Sequence, residues 1–135
     1  MRNFTDKVAV ITGAGSGIGY EVALAFAREG ADIVATDVEQ AGLDSLRQEV
    51  EKLGVGYRHA LLDVSDQEAF ETLVAELDAQ GKLPDIAVNN AGIGYLAAFL
   101  DTTPEQWRRT LDINVLGVAW GSRAFLRLWQ ARGIA

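Results

Sequence analysis

The chain has 135 residues, enough for one domain with a sizeable core, and its 49% hydrophobic and 23% charged residues are a globular balance. A net charge of −7 with no basic run makes nucleic acid and anionic membrane poor partners, and no apolar run approaches the length of a membrane span. With no cysteine and a single histidine, His59, disulfides and thiolate catalysis are excluded, and neither a Ser-His-Asp triad nor a metal cluster is expected.

Residues 1–7 carry Asn3, Asp6 and Lys7 without an apolar stretch, so no signal peptide is expected and a cytoplasmic protein is. Residues 7–11, with the β-branched run Val8-Ala9-Val10-Ile11, read as a buried strand. Thr12-Gly13-Ala14-Gly15-Ser16-Gly17-Ile18-Gly19 follows, and Ile18, Val22 and Phe26 then mark one face of a helix over about 17–29, stopped by Gly30. Residues 32–36 form the second strand. A second helix runs over about 39–53, with Leu43, Leu46, Val50 and Leu53 as its apolar stripe, and Gly54 and Gly56 end it. Residues 57–62 form the third strand, with His59 as a partly exposed member. Ser65-Asp66-Gln67-Glu68 has the form of a capping box with Ser65 as N-cap. The helix it opens buries Phe70, Leu73, Val74 and Leu77 and stops near Gly81. Residues 85–88 make the fourth strand. Thr103-Pro104-Glu105-Gln106 is a second capping box, opening a helical stretch to about Arg132 in two segments near Asp112.

Strands alternating with crossover helices predict an α/β fold, a Rossmann-type doubly wound parallel sheet in the order 3-2-1-4. Ligands of such a sheet lie at the carboxyl ends of the strands, where strands one and four diverge. The glycine loop is there. Glycines let backbone approach a pyrophosphate, and the helix N-terminus behind them offers free N–H groups to an anion. A P-loop is excluded because Ile18-Gly19-Tyr20 lacks its Lys-Ser or Lys-Thr, and G-x-G-x-x-G fails because Ile18 and Tyr20 take its third glycine's place. The remaining pattern is T-G-x-x-x-G-x-G. Asp37, 18 residues after Gly19, stands near the ~20 expected for the acid that takes both adenosine ribose hydroxyls, and is otherwise an acid at a strand end. Ser16, Thr36, Val38 and Glu39 bring no cation for a 2′-phosphate, so NAD is preferred over NADP.

Thr12, Gly13, Gly17 and Gly19, then Asp37, Asp63-Val64, Asn89-Asn90-Ala91-Gly92 and Asn114 occur in an order that resembles the short-chain dehydrogenase/reductase family along the whole chain. The resemblance implies hydride transfer between a nicotinamide and a small alcohol or ketone. It implies cofactor binding by Gly13, Gly15, Ser16, Gly17, Ile18, Gly19, Asp37, Asp63, Val64, Asn90, Ala91 and Gly92. Within it, Asp63 accepts from the adenine amino group, Val64 lies on the ring, Asn90 touches the cofactor and Asn89 is structural. Asn114 is the catalytic member: it perturbs its helix and holds a water that serves an active-site Lys. Plainer readings stand beside these: Asp63 as an acid at a helix entry, the Asn pair as a turn, and Asn114 as a buried amide bonded to backbone. Trp107, Trp120 and Trp129 read as packing or interface residues.

The family's Tyr-x-x-x-Lys is not in this sequence. Four residues after Tyr20, Tyr57 and Tyr95 stand Leu24, Leu61 and Phe99. Residues 1–135 are therefore expected to form a dinucleotide-binding domain, incomplete on its C-terminal side before a fifth strand, that binds cofactor without turnover. A non-catalytic dinucleotide-binding module and a vestigial α/β interaction domain are the alternatives. Tyr95 is the tyrosine expected near the nicotinamide end. The family also implies a homo-oligomer built on the helix of Val115, Val118, Phe125 and Leu128.

Overall fold

The computed structural model describes residues 3–134. β1 (Val8–Thr12), β2 (Asp32–Asp37), β3 (Tyr57–Leu61) and β4 (Ile86–Val88) alternate with α1 (Gly17–Arg28), α2 (Gln40–Lys52) and α3 (Gln67–Ala79). All neighbouring strands pair in parallel in the order β3-β2-β1-β4, as the alternation predicts. A 3-10 turn (Phe99–Asp101) leads into α4 (Pro104–Leu111), a π-helical segment (Asp112–Leu116) and α5 (Gly117–Ala131). Among the described residues no helix is long and apolar enough to cross a membrane.

The period-2 alternation of β1 divides the core. Ala9 and Ile11 pack on one side with Ala23 and Leu24 of α1 and Leu43, Leu46 and Val50 of α2. Val10 packs on the other side with Phe70, Leu73 and Leu77 of α3 and Ala124 and Phe125 of α5. Burial on both faces is why β1 reads as a continuous apolar run. At the end of α1, Ala31 N–H bonds Phe26 O and Gly30 N–H bonds Ala27 O, the paired closure expected of Gly30.

Some local expectations move. Leu53 is the residue after α2 and is 42% exposed, so the stripe of that helix ends at Val50. The N-cap of α3 is Asp66, not Ser65: Asp66 accepts from Ala69 N–H at 3.1 Å. Ser65 is drawn away because its hydroxyl and N–H both go to the Asp63 carboxylate. The Thr103 box forms as read, with Gln106 answering the Thr103 N–H. The two helical segments expected near Asp112 are one helical run, α4 continuing into α5 through a π turn. Phe125 is buried in the chain's own core with Phe70, Leu73 and Leu77 of α3, and Leu128 is buried as well, leaving Val115, Val118 and Leu126 on the outward side. Trp129 also packs inward and donates to Pro84 O at 2.6 Å.

Leu46 is fully buried whereas Leu53 is not, so the two positions should respond differently to truncation. Leu46→Ala is expected to lower unfolding free energy by about 2–5 kcal/mol and Leu53→Ala by less than about 0.5 kcal/mol, read from urea denaturation. Comparable losses at both positions would contradict the packing described.

Candidate functional site: a cleft at the carboxyl ends of the strands

A cleft of about 570 Å³ opens where β1 and β4 diverge, lined by the glycine loop, the ends of β2, β3 and β4, and α4. Of the residues singled out in the sequence, Gly13, Ser16, Gly17, Ile18, Asp37, Asp63, Val64, Asn90, Ala91 and Gly92 line it. Gly15, Gly19 and Asn114 do not; they hold the wall from behind. Val38, Leu62, Ile93, Tyr95, Arg109 and Ile113 also line the cleft. None of these six is among the candidate binding residues of the sequence; Tyr95 alone is expected there, near the nicotinamide end, and Arg109 is the charged addition.

The loop is held at both ends of its span. Thr12, 2% exposed, accepts the Ala91 N–H at 3.1 Å on its hydroxyl and shares the Asn90 N–H with Val88 O. The Asn90 amide donates back to Thr12 O at 3.0 Å and Gly13 O at 3.3 Å. A side chain on Gly19 would meet Gly13 O at 2.2 Å, and one on Gly13, at φ +65°, would meet the Ala91 backbone at 2.8 Å. Those two glycines are required by close approach rather than by flexibility. Ser16, the N-cap of α1, makes no capping bond with its side chain, and the first turn of α1 holds no acid. The N-terminus of this 12-residue helix faces the cleft with no acid of its own first turn and no side-chain cap.

Asp37 ends β2 and accepts three backbone N–H groups: Gly15 at 2.9 Å on Oδ2, and Val38 at 2.8 Å and Glu39 at 3.1 Å on Oδ1. It thus shapes the loop and lines the cleft at once. Asp63, just past β3, accepts the Ser65 N–H at 3.0 Å and hydroxyl at 2.6 Å on Oδ1, and Arg109 Nη2 at 2.7 Å on Oδ2. Partial burial pushes the Asp63 carboxyl up, but the Ser65 hydroxyl, the Arg109 guanidinium and the Ser65 N–H together outweigh it and hold it below the usual carboxylate range. Asp63 is therefore an acceptor only at neutral pH.

Asn114 lies in the π segment and pairs with the Ile93 backbone, accepting its N–H at 2.9 Å and donating to its O at 2.8 Å. The side chain fixes the chain leaving β4, as the plainer reading expects of its backbone bonds, but Asn114 is exposed rather than buried. Asn89 bonds Ser122 of α5 at 3.1 Å, a structural contact. His59 meets Gln40 and Arg47 beside α2, away from the cleft wall. Asp37, Asp63, Tyr95 and Arg109 are the titratable groups on that wall. Among the described residues no group of three or more metal-ligating side chains occurs. Arg109 could have been found from its position four residues before the buried Ile113, on the inward face of a helix whose start the Thr103 box marks.

The family profile described as short chain dehydrogenase matches residues 7–134. "Probable oxidoreductase EphD" of Mycobacterium tuberculosis is 48% identical over 96% of the chain, which covers 22% of that protein. Galactitol 2-dehydrogenase (L-tagatose-forming) of Cereibacter sphaeroides is 44% identical over 93% of the chain and 48% of its own length. A short-chain type dehydrogenase/reductase from Mycobacterium marinum superposes with a TM-score of 0.93 at 32% identity, covering 98% of this chain and 54% of that one. An NAD+-bound xylitol dehydrogenase has a TM-score of 0.90 at 32% identity over 97% of this chain and 51% of that one. A metagenomic short-chain oxidoreductase in complex with NADP has a TM-score of 0.87 at 27% identity over 95% and 58%. The chain thus spans about half the length, or less, of the relatives it matches. From the residues 7–134 that match the profile and the sheet those residues build, the chain belongs to the short-chain dehydrogenase/reductase family.

Proposed function

We propose that this chain is the NAD-binding portion of a cytoplasmic oxidoreductase that moves hydride between a nicotinamide and a small alcohol or ketone. One observation carries the reading: the α1 N-terminus and the two strand-end carboxylates, Asp37 and Asp63, share one cleft wall. Helix N–H groups from Ser16 onward suit a pyrophosphate, Asp37 the adenosine ribose hydroxyls, and Asp63 and Val64 the adenine. Bound there, the nicotinamide supplies the hydride acceptor or donor. Ala91, Gly92 and Ile93 continue the wall beyond β4, and Asn114 holds that segment in place. In this reading Asn114 also anchors a water beside the substrate, which its exposed position in the π segment leaves open to solvent.

The preference for NAD rests on Asp37. A 2′-phosphate would come against its carboxylate, and Arg109, the one cation on the wall among the described residues, is already bonded to Asp63. Acid/base chemistry at a substrate oxygen needs a group of suitable pKa within hydrogen-bond reach, and an amide such as Asn114 has none. Tyr95 is 44% exposed and has Phe99, not Lys, four residues on. We propose cofactor binding without turnover for this chain by itself.

The outward side of the π segment and α5, with Val115, Val118 and Leu126 at 54%, 38% and 54% exposure, supports pairing with a second copy. Light scattering at high concentration is expected to show a dimer or larger species, and a sharp monomer would contradict that part of the proposal.

Calorimetry with NAD and NADP tests the cofactor. NAD is expected to bind tighter by about 1–3 kcal/mol, the scale of a hydrogen bond to a charged group. Asp37→Ala should narrow the gap and, because Gly15 loses its acceptor, also weaken NAD. In the same samples, alcohols and ketones should leave the NADH absorbance unchanged. Equal affinity for the two cofactors, or turnover well above background, would overturn the reading.

A further inference from the structure

The Asp63 carboxylate is held by two separate parts of the chain. Ser65, on its own loop, occupies Oδ1 with its N–H and its hydroxyl. Arg109, from α4, takes Oδ2 with Nη2 and reaches the Ser65 hydroxyl with Nη1 at 2.9 Å. Ser65 Oγ accepts from Arg109, so its single proton goes to Asp63 and the three side chains close a ring. A carboxylate oxygen accepts about two hydrogen bonds. Oδ1 is therefore filled, and Oδ2 keeps one acceptor position. Asp63 and Arg109 both line the cleft, between Leu62 and Val64 on one side and Ile113 on the other.

We propose that Arg109 is a positioning residue for base recognition: it fixes Asp63 with a single free acceptor on Oδ2, which selects a purine carrying an amino group over one carrying an oxygen at the same place. This rests on the reading that the cleft takes an adenine dinucleotide. Adenine offers an N6 amino donor, whereas a 6-oxo purine offers an acceptor. Against Oδ2 the first makes a hydrogen bond and the second sets acceptor against acceptor. The carboxylate has no proton to give, since Arg109, the charged group facing it among the described residues, keeps it ionised. Without Arg109, Oδ2 regains a second acceptor position and Asp63 the freedom to turn, and a water-bridged Asp63 can accommodate either base. The pair itself is about 40% exposed on each side, so its direct contribution to the fold is small. Its effect is on what the cleft accepts.

The test is calorimetric affinity for NAD and for nicotinamide hypoxanthine dinucleotide, which differ at that one position of the base. The unaltered chain should prefer NAD by about tenfold or more, the range of a hydrogen bond to a charged acceptor. Arg109→Met should cut that ratio to about threefold or less with unchanged circular dichroism, while Arg109→Lys keeps part of it. If Arg109 acts through Asp63, adding Arg109→Met to Asp63→Asn should change the ratio no further. Full preference retained in Arg109→Met, or equal loss of affinity for both dinucleotides, would overturn the role of Arg109 while leaving the cleft a dinucleotide site. Failure of the unaltered chain to bind either compound would overturn the dinucleotide reading itself, and this proposal with it.

Discussion

Thr12 ends β1 with its hydroxyl buried, and that hydroxyl takes N–H groups that β4 releases where its pairing stops. A parallel sheet that opens at this point leaves backbone donors and acceptors without partners on both strands, and each buried group left unpaired costs about 1–3 kcal/mol. Thr12 and Asn90 answer one another: the hydroxyl serves the β4 end, and the amide returns to Thr12 O and Gly13 O. The exchange fixes where the glycine loop leaves the sheet. The same exit brings Gly13 O against Gly19, where no side chain fits, and aims the Gly15 N–H at Asp37.

Much of this was legible because it is local. β1, the glycine loop and α1 follow from apolar runs and spacing, and the sheet order follows from strands alternating with helices. The identity of Asp37 as a strand-end acid was also readable. Its bond to the Gly15 N–H was not, because it joins two segments that spacing alone does not bring together. Ser65 shows the limit of local rules. Its capping pattern is sound by itself, but a charged pair across 46 positions of sequence, Asp63 with Arg109, competes for the hydroxyl and wins, and the cap passes to Asp66. Phe125 and Leu128 mislead for the same reason: an apolar helix face does not say whether α3 or another molecule covers it.

The cleft has a consistent division of labour. Acidic acceptors, a helix N-terminus and glycines face it together with apolar side chains such as Ile18, Leu62 and Ile113, while Asn114 and Gly19 stand behind the wall. Asn114 is the clearest case, since an amide matched to both groups of Ile93 secures the segment leaving β4 without lining the cavity. The π turn that carries it inserts an extra residue into the helix, displacing the normal ladder locally. A site built this way is shaped before any ligand arrives, which reduces the ordering cost on binding.

The Thr12 hydroxyl fixes the exit of the glycine loop, and the NAD affinity of Thr12→Val measures how far the loop depends on it. Valine keeps the volume and removes the acceptor, leaving the Ala91 N–H without its partner. The account predicts an affinity lower by about tenfold or more, from the loss of a buried hydrogen bond that orients the loop, with recovery in Thr12→Ser. A Thr12→Val chain that binds NAD as tightly as the unaltered one would contradict it.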